Sequence, residues 1–376
     1  MNRHFSIYLD LVRIVAALGV IVYHSNFRLL ITEKLPFSGH GHAAVIVFFV
    51  LSGYVIAYIT AVRENTPLAY WSSRLSRFYS LALPVVLLTP LLDLAGEALA
   101  PQYYAGTTTH DLAWLRIVTS LLFLNEAWLL SIMSFSNVPY WSLCYEFWYY
   151  VLFAIASFTR GTRRAVLAGA VMLLVGPKIL LLAPVWLAGV ALFRWQWLGG
   201  VRPLPGVLLV CASWPAYWVF HQYGLSEVGS RWLLELLGPQ LHRQMAFSRF
   251  FITDYLLALI VLANFVGMRA IADKTAPLLL MAEPLIRKLA GYTFSAYILH
   301  QPLLQFYAAV IDGDPGRPWF YVSTLAATLA TIAALAVVTE QQRHHWRGAI
   351  ARLLTWLAGA VGRWTPVTAT AGGRHG

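Results

Sequence analysis

The chain has 376 residues, of which 59% are hydrophobic and only 11% are charged. So few charges cannot cover the surface of a soluble protein of this length, and the 14% of aromatic residues, including fifteen Trp, suits a protein with two membrane interfaces. The net charge of +11 is explained by basic cytoplasmic loops, and the absence of a basic tract with interleaved aromatic residues argues against a nucleic-acid partner. The composition predicts one polytopic all-α integral membrane domain and excludes a pair of soluble domains.

The two cysteines and the N-terminal segment bear on three features: a disulfide, a metal site and a cleavable signal peptide. Cys144 and Cys211 both lie in apolar runs, which makes a weak case for a disulfide and none for a metal site. We therefore predict no metal and no permanently bound cofactor. The first apolar run does not resemble a cleavable signal, because Arg13 interrupts it and no A-x-A cleavage site follows His24.

Ten apolar segments have about the length needed to cross a hydrocarbon core of ~30 Å. The fifth and sixth are short and meet at Gly176-Pro177. The ten segments together predict a bundle of about ten transmembrane helices within residues 1–345. The segments cover about residues 7–25, 43–62, 78–96, 138–158, 164–176, 179–195, 204–221, 250–268, 291–312 and 319–339.

The charges orient this bundle. With the N-terminus in the cytoplasm, the cytoplasmic segments collect most of the 27 Lys and Arg residues, which the positive-inside rule prefers. An even number of spans then puts both termini in the cytoplasm. Residues 346–376 form a basic cytoplasmic tail, whose Thr-, Ala- and Gly-rich end we expect to be disordered.

The external segment at about 97–137 is long and partly apolar. Loops of this length are usually functional or have structure of their own. We expect an interfacial or re-entrant helix at about 112–131.

The first span carries Asp10, Arg13 and His24, although ionisable groups inside a membrane are costly. Arg13 and His24 are eleven residues apart, so they share nearly one helix face and lie roughly 16 Å apart along the axis. In the functional interpretation, His24 is a general base on a hydroxyl and Arg13 fixes a polar part of the ligand. In the structural interpretation, Arg13 pairs with Glu146 or with Asp10, and His24 is an interfacial residue.

Two further stretches carry small or cationic residues. Ser52 and Gly53 are as consistent with close helix packing as with a ligand contact. Arg74 and Arg77 are three residues apart on one helix face, at the cytoplasmic entry of the third span. They predict either a topology anchor or a phosphate clamp, since guanidinium groups match phosphate oxygens.

Polar residues recur in the later spans. Glu146 lies well inside the fourth span and needs a partner, for which Arg13 is the first candidate and His24 the second. Tyr297 and His300 lie in the ninth span, where a single His is more often a satisfied core residue. Glu340, beside Arg343, is expected to form a helix-end ion pair.

Six of these stretches, in this order, resemble the membrane-bound acyltransferase family 3, the bacterial polytopic O-acyltransferases. The resemblance spans about residues 8–340, and each motif alone is weak. Many members carry a soluble hydrolase-like domain after the membrane part, but the tail here is too short for one, so we expect a membrane-only member. Phe147 stands where a second acidic residue often follows the Glu. The matching motifs are Arg13 to His24 after Leu-Asp-x-x-Arg, Phe48 to Gly53, Arg74 with Arg77, Trp141 to Glu146, Ser295 to Pro302, and Glu340.

The resemblance implies a multi-pass protein of the bacterial inner membrane that transfers an acyl group, usually acetyl from acetyl-CoA, to a hydroxyl. The acceptors it implies are carbohydrates or lipid-linked glycans such as O-antigen, capsule and exopolysaccharide, or else a small molecule such as a macrolide. We expect Arg74 and Arg77 to hold the phosphates of acyl-CoA, Arg13 to lie on the path of its pantetheine arm, and His24 to act as the base.

Three questions stay open at this stage. Glu146 is expected to orient Arg13 or His24, and an acyl-histidine intermediate is an alternative to direct transfer. Further site candidates are Asp10, Ser52, Tyr297 and His300. A proton-coupled transporter using Arg13, Glu146 and His300 is the rival of a different class, although we find neither the repeat nor the paired broken helices typical of transporters.

Overall fold

The computed structural model describes residues 2–106 and 111–361. Within these ranges the chain is almost entirely helical, with one isolated backbone bridge between Ser134 and Asn137. The α-helices, in chain order, are α1 (Arg3–Ser25), α2 (Gly41–Val62), α3 (Pro67–Leu99), α4 (Ala113–Leu121), α5 (Tyr140–Phe158), α6 (Gly161–Val175), α7 (Pro177–Arg194), α8 (Gln196–Gly199), α9 (Pro203–Gln222), α10 (Leu225–Gln244), α11 (Phe251–Ile271), α12 (Ala276–Ala290), α13 (Thr293–Ile311), α14 (Pro318–Val338) and α15 (Arg343–Val361).

Each of the ten predicted spans coincides with one helix. Seven stretches of the described chain are long and apolar enough to cross a membrane, and they contain α1, α2, α3, α7, α9, α11 and α14. Helix α6 is short, and α5 and α13 carry many of the polar residues discussed below. The chain is thus a multi-pass helical protein, while the count of ten and the cytoplasmic termini stay predictions.

Helix α3 begins about eleven residues earlier than the sequence predicts. The hydroxyl of Thr66 accepts a hydrogen bond from the backbone N–H of Ala69, at 3.2 Å, and Pro67 occupies the first helical position. Both are favourable helix-start features. Arg74 and Arg77 therefore lie inside the helix and not in the segment that leads into it.

The helix predicted at 112–131 is wrong in its extent, because α4 ends at Leu121. Phe123 adopts a left-handed conformation (φ 54°), and its carbonyl oxygen accepts hydrogen bonds from Cys144 Sγ and Trp148 Nε1 of α5. Further along, Glu126 pairs with Lys178 of α7 at 2.7 Å, and both side chains are fully buried. These contacts with α5 and α7 hold residues 122–139 in an irregular conformation.

The first part of the predicted tail is also helical. Residues 346–361 belong to α15, which packs against α3. The end of the tail, beyond Arg363, lies outside the described residues.

Helices α2 and α7 make the closest backbone approach near the site. A Cβ atom added to Gly53 would lie 2.0 Å from the carbonyl oxygen of Trp186, and one added to Gly189 would lie 1.8 Å from that of Val50. Only glycine allows two helices to come this close. The packing interpretation of Gly53 is confirmed, and the contact fixes where the neighbouring Ser52 points.

Candidate active site

An open cavity lies among α1, α2, α3, α5 and α13. We call it the inner cavity, because it lies toward the predicted cytoplasmic end of α1. Five of the residues selected from the sequence line it, together with Ser142, Tyr150 and Phe294. The five are Arg13, Ser52, Arg77, Glu146 and Tyr297.

Arg13 is paired with Asp10 of its own helix, at 3.5 Å between Nη1 and Oδ1. Asp10 also accepts a hydrogen bond from Arg287 of α12. Of the two partners predicted for Arg13, the structure therefore shows Asp10. No ion pair joins Arg13 to Glu146 within the described chain. Because Asp10 is shared between two cations, Arg13 keeps part of its hydrogen-bonding capacity for a ligand.

Glu146 is held by hydroxyl groups. Its Oε1 accepts hydrogen bonds from Ser52 Oγ and from Tyr150 OH, the latter at 2.7 Å. Ser52 Oγ also accepts from the indole Nε1 of Trp186 at 3.2 Å. Ser52 thus joins α2, α5 and α7, and the carboxylate of Glu146 is oriented by α2 and α5 and not by Arg13 or His24.

The two arginines of α3 have different surroundings. Arg77 lines the inner cavity and lies over the ring of Phe294, with 5.3 Å between Cζ and the ring centroid. Arg74 is buried, and its Nη2 donates to both carboxylate oxygens of Glu64, at 2.8 and 2.9 Å. Of the predicted clamp, only Arg77 reaches the cavity.

Arg13 and Arg77 lie close enough to repel each other, while Glu146 attracts Arg77. Asp10 and Glu340 also attract Arg13, and Glu340 also attracts Arg77, so the two guanidinium groups lie among several carboxylates. Arg77, which has no ion-pair partner in the described structure, remains available to an anionic group such as a phosphate.

Glu340 does not form the predicted ion pair with Arg343. Its Oε2 accepts hydrogen bonds from the backbone N–H of Ser295 at 3.1 Å and from the Ser295 hydroxyl at 2.7 Å. A carboxylate in this position satisfies free N–H groups at the start of a helix, here α13. Glu340 thereby fixes the end of α13 that carries Phe294 and Tyr297 into the inner cavity.

A second open cavity, with about 1350 Å³ of empty space, lies at the other end of α1. We call it the outer cavity. It shares no lining residue with the inner cavity among the residues that the structure describes. Its wall contains His24, the cations Arg28 and Lys34, the amides of Asn26, Gln102, Gln301 and Gln305, and the rings of Tyr23, Phe27 and Tyr103.

Tyr103 remains a hydrogen-bond donor in this wall. Burial, with a smaller contribution from Asp312, raises the pKa of Tyr103 to about 12. The phenol is therefore protonated at physiological pH. Because Asp312 interacts with Tyr103 and accepts a hydrogen bond from Gln102 at 3.1 Å, its negative charge lies behind the wall of the cavity.

His24 and His300 meet between the two cavities, with ring centroids 5.0 Å apart. His300 is fully buried, and its ring also contacts Tyr297, at 6.3 Å between centroids. Tyr297 faces the inner cavity and donates or accepts a hydrogen bond with Ser142 at 2.6 Å. A layer consisting of Tyr297, His300 and His24, which we call the partition, thus separates the two cavities.

Comparison with known proteins identifies the family of this chain. The family model described as "Acyltransferase domain", that of acyltransferase family 3, matches residues 6–337. This chain belongs to acyltransferase family 3. The match includes every site residue named above except Glu340.

One curated protein is similar to this chain in sequence. The chain is 32% identical over 126 residues to acyltransferase MdmB of Streptomyces mycarofaciens. That match covers 33% of this chain and 30% of the relative, so the chain spans less than a third of the relative it matches. No solved structure matches this acyltransferase.

Some residues of the site were not predicted from the sequence. Tyr150 follows Glu146 by one helical turn, a spacing that predicts their contact but does not distinguish it from other pairs in an aromatic span. Ser142 belongs to the motif from Trp141 to Glu146, and Gln301 occupies a variable position of the motif from Ser295 to Pro302, but neither was selected as a site residue. Arg287 looked like an ordinary cytoplasmic cation.

Proposed function

We propose that this acyltransferase moves an acyl group, most simply acetyl, from cytoplasmic acyl-CoA to a hydroxyl of a carbohydrate or lipid-linked glycan. The observation that carries the proposal is the position of His24. Its imidazole faces the outer cavity, while on the same helix, roughly 16 Å away, Arg13 faces the inner cavity. One helix therefore offers a cation to the donor and a base to the acceptor.

The inner cavity receives the donor in this proposal. The charge of Arg77 attracts a phosphate of coenzyme A, and its planar guanidinium group matches phosphate oxygens. Arg13 lies further along the path and contacts the pantetheine arm. Arg74 acts indirectly, because its ion pair with Glu64 stabilises the helix that carries Arg77.

The outer cavity receives the acceptor. Amide groups and tyrosine hydroxyls, which both donate and accept hydrogen bonds, are suited to a ligand with many hydroxyl groups. Gln301 Oε1 is buried without a partner in the described structure, so it offers an acceptor to such a ligand. The cations Arg28 and Lys34 favour a glycan with a carboxylate or phosphate over an amine-bearing small molecule such as an amino-sugar macrolide.

The reaction follows from the two positions. His24 removes the proton of the acceptor hydroxyl as its oxygen attacks the carbonyl carbon of the thioester. A C–O bond forms, the C–S bond breaks, and the proton passes from His24 to the sulfur of coenzyme A. Polar groups near His24 stabilise the negative charge that develops on the carbonyl oxygen. An acyl-histidine route would replace the direct attack by two steps through His24.

Acyl transfer from radiolabelled acetyl-CoA, in membranes of the source bacterium with and without this protein, tests the proposal. We expect ester-linked label in the glycan fraction, and a loss of roughly 10²- to 10⁴-fold in His24→Ala. His344→Ala is the matched control, because His344 is exposed and lines neither cavity. Full transfer by His24→Ala would exclude His24 as the base.

The same assay distinguishes the rival functions. Ester label in a small-molecule extract and not in glycan would favour the macrolide-type acceptor. A transporter would move labelled substrate into vesicles without any ester product. The structure offers that rival little support, because Arg13 and Glu146 line the inner cavity whereas His300 is buried outside it.

A further inference from the structure

His300 has one ring nitrogen engaged and the other free. Its Nδ1 lies 3.0 Å from the carbonyl oxygen of Ala296, one turn earlier in α13. Since a carbonyl oxygen only accepts, Nδ1 carries the proton in the neutral ring and Nε2 presents a lone pair. Nε2 is buried and has no hydrogen-bond partner in the described structure. A buried acceptor without a partner is costly, so a role during turnover would explain why it is kept.

The free nitrogen points away from its own helix. Because Nδ1 is turned back to α13, Nε2 lies at the far side of the ring. The aromatic rings in contact with His300 are those of His24 and Tyr297. The hydroxyl of Tyr297 is already engaged with Ser142. His24 is therefore the neighbour that can donate a hydrogen bond to Nε2.

The geometry points to His300 as the positioning residue of His24, accepting a hydrogen bond from the imidazolium that forms during acyl transfer. This inference rests on the proposed function, in which His24 is the base. When His24 takes the hydroxyl proton, both of its nitrogens carry hydrogen. One N–H delivers its proton to the sulfur of coenzyme A, and the other donates to Nε2 of His300, which itself neither gains nor loses a proton.

This pair differs from the usual acid–base–nucleophile arrangement, in which a carboxylate orients the histidine. No carboxylate lies within ion-pair distance of His24 or His300 in the part of the chain that the structure describes. Two adjacent buried imidazoles oppose simultaneous protonation. His300 therefore remains neutral and acts as an uncharged acceptor, which avoids placing a permanent negative charge in the partition.

Three substitutions of His300 separate this role from packing. Phenylalanine keeps a planar ring without an acceptor, glutamine places an amide oxygen near the position of Nε2, and asparagine reaches only the position of Nδ1. We expect His300→Phe and His300→Asn to lower kcat by roughly 10- to 100-fold, the range for a hydrogen bond to a charged group. The KM for acetyl-CoA stays near the parent value, and His300→Gln recovers part of kcat.

Thr324→Val of α14 is the control, because Thr324 is a fully buried polar residue with a free hydroxyl that lines neither cavity. It should keep the parent kcat. Thermal melting of each purified variant identifies any that fail to fold. If His300→Phe does not fold, the comparison of His300→Gln with His300→Asn tests the inference.

Two results would overturn the inference. One is a parent kcat in His300→Phe or in His300→Asn. The other is an equal loss in the Gln and Asn variants with a matching rise in KM, which indicates packing alone. If the parent protein transfers no acyl group, the proposed function fails instead, so the two failures are distinguishable.

Discussion

Arg74 and Arg77 lie one helical turn apart in α3, yet only Arg77 faces the inner cavity. Arg74 donates two hydrogen bonds to Glu64, whereas Arg77 lies over Phe294 and has no carboxylate within ion-pair distance among the described residues. A short motif thus combines a structural ion pair with a cation available to a ligand. The two residues should respond differently to substitution.

Arg77→Ala should weaken acyl-CoA binding. Removal of a charge-assisted contact to a phosphate is expected to raise the KM for acetyl-CoA by roughly 10- to 100-fold. Steady-state kinetics on purified protein measure the change. Arg163→Ala is the matched control, since Arg163 is an exposed arginine at the start of α6 and lines neither cavity. An unchanged KM in Arg77→Ala would leave Arg77 as an anchor.

Arg74→Ala should destabilise the fold instead. It leaves the buried carboxylate of Glu64 without its cation, which typically costs about 3–5 kcal/mol. We expect a lower melting temperature, and a KM for acetyl-CoA near that of the parent in the folded fraction. The double substitution Glu64→Gln with Arg74→Met should recover part of the stability. A double variant less stable than Arg74→Ala would contradict this account.

Gly53→Ala should disrupt the contact of α2 with α7. The added Cβ would lie 2.0 Å from the Trp186 carbonyl oxygen, and overpacking of this kind costs about 1–3 kcal/mol. Since Ser52 is adjacent, activity should also fall. Gly169→Ala in α6 is the control: nothing lies within 4 Å of its Cβ, so the change should stabilise slightly. Melting temperatures of the two variants compare them directly.

Lys178→Met should make stability depend more strongly on pH. Burial raises the pKa of Glu126 above its usual 4.5, and Lys178 opposes that rise. Without Lys178, the folded state binds a proton that the unfolded state releases above pH 4.5, so stability falls as pH rises from that value. Unfolding midpoints between pH 4 and 8 measure the effect. In the control Glu126→Gln with Lys178→Met, this dependence should disappear.

The sequence predicts the helices well because each apolar run of suitable length corresponds to one helix. The start of α3 was missed, because its first turns are polar and depend on the cap at Thr66. The end of α4 was missed for another reason: the contacts of Phe123 and Glu126 with α5 and α7 outweigh the local preference for helix. Local patterns carry no information about such contacts.

The residues that line the inner cavity were largely predictable from the sequence, but the contacts between them were not. Arg13, Ser52, Glu146 and Tyr297 were selected because polar residues inside spans need a reason. Which of them touch depends on the rotation of each helix, which single spans do not specify. For that reason the sequence offers both Glu146 and Asp10 as partners of Arg13, of which the structure shows Asp10, and it does not indicate that His24 and His300 are neighbours.

The partition has an electrical consequence. In the predicted orientation the two cavities face opposite sides of the membrane, and water in both of them would concentrate the transmembrane voltage across the partition of Tyr297, His300 and His24. A full elementary charge that crosses this layer exchanges about 2.3 kcal/mol per 100 mV with the field. Charge that develops there during turnover is exposed to that field, and the enzyme should work at different rates in energised cells and in detergent.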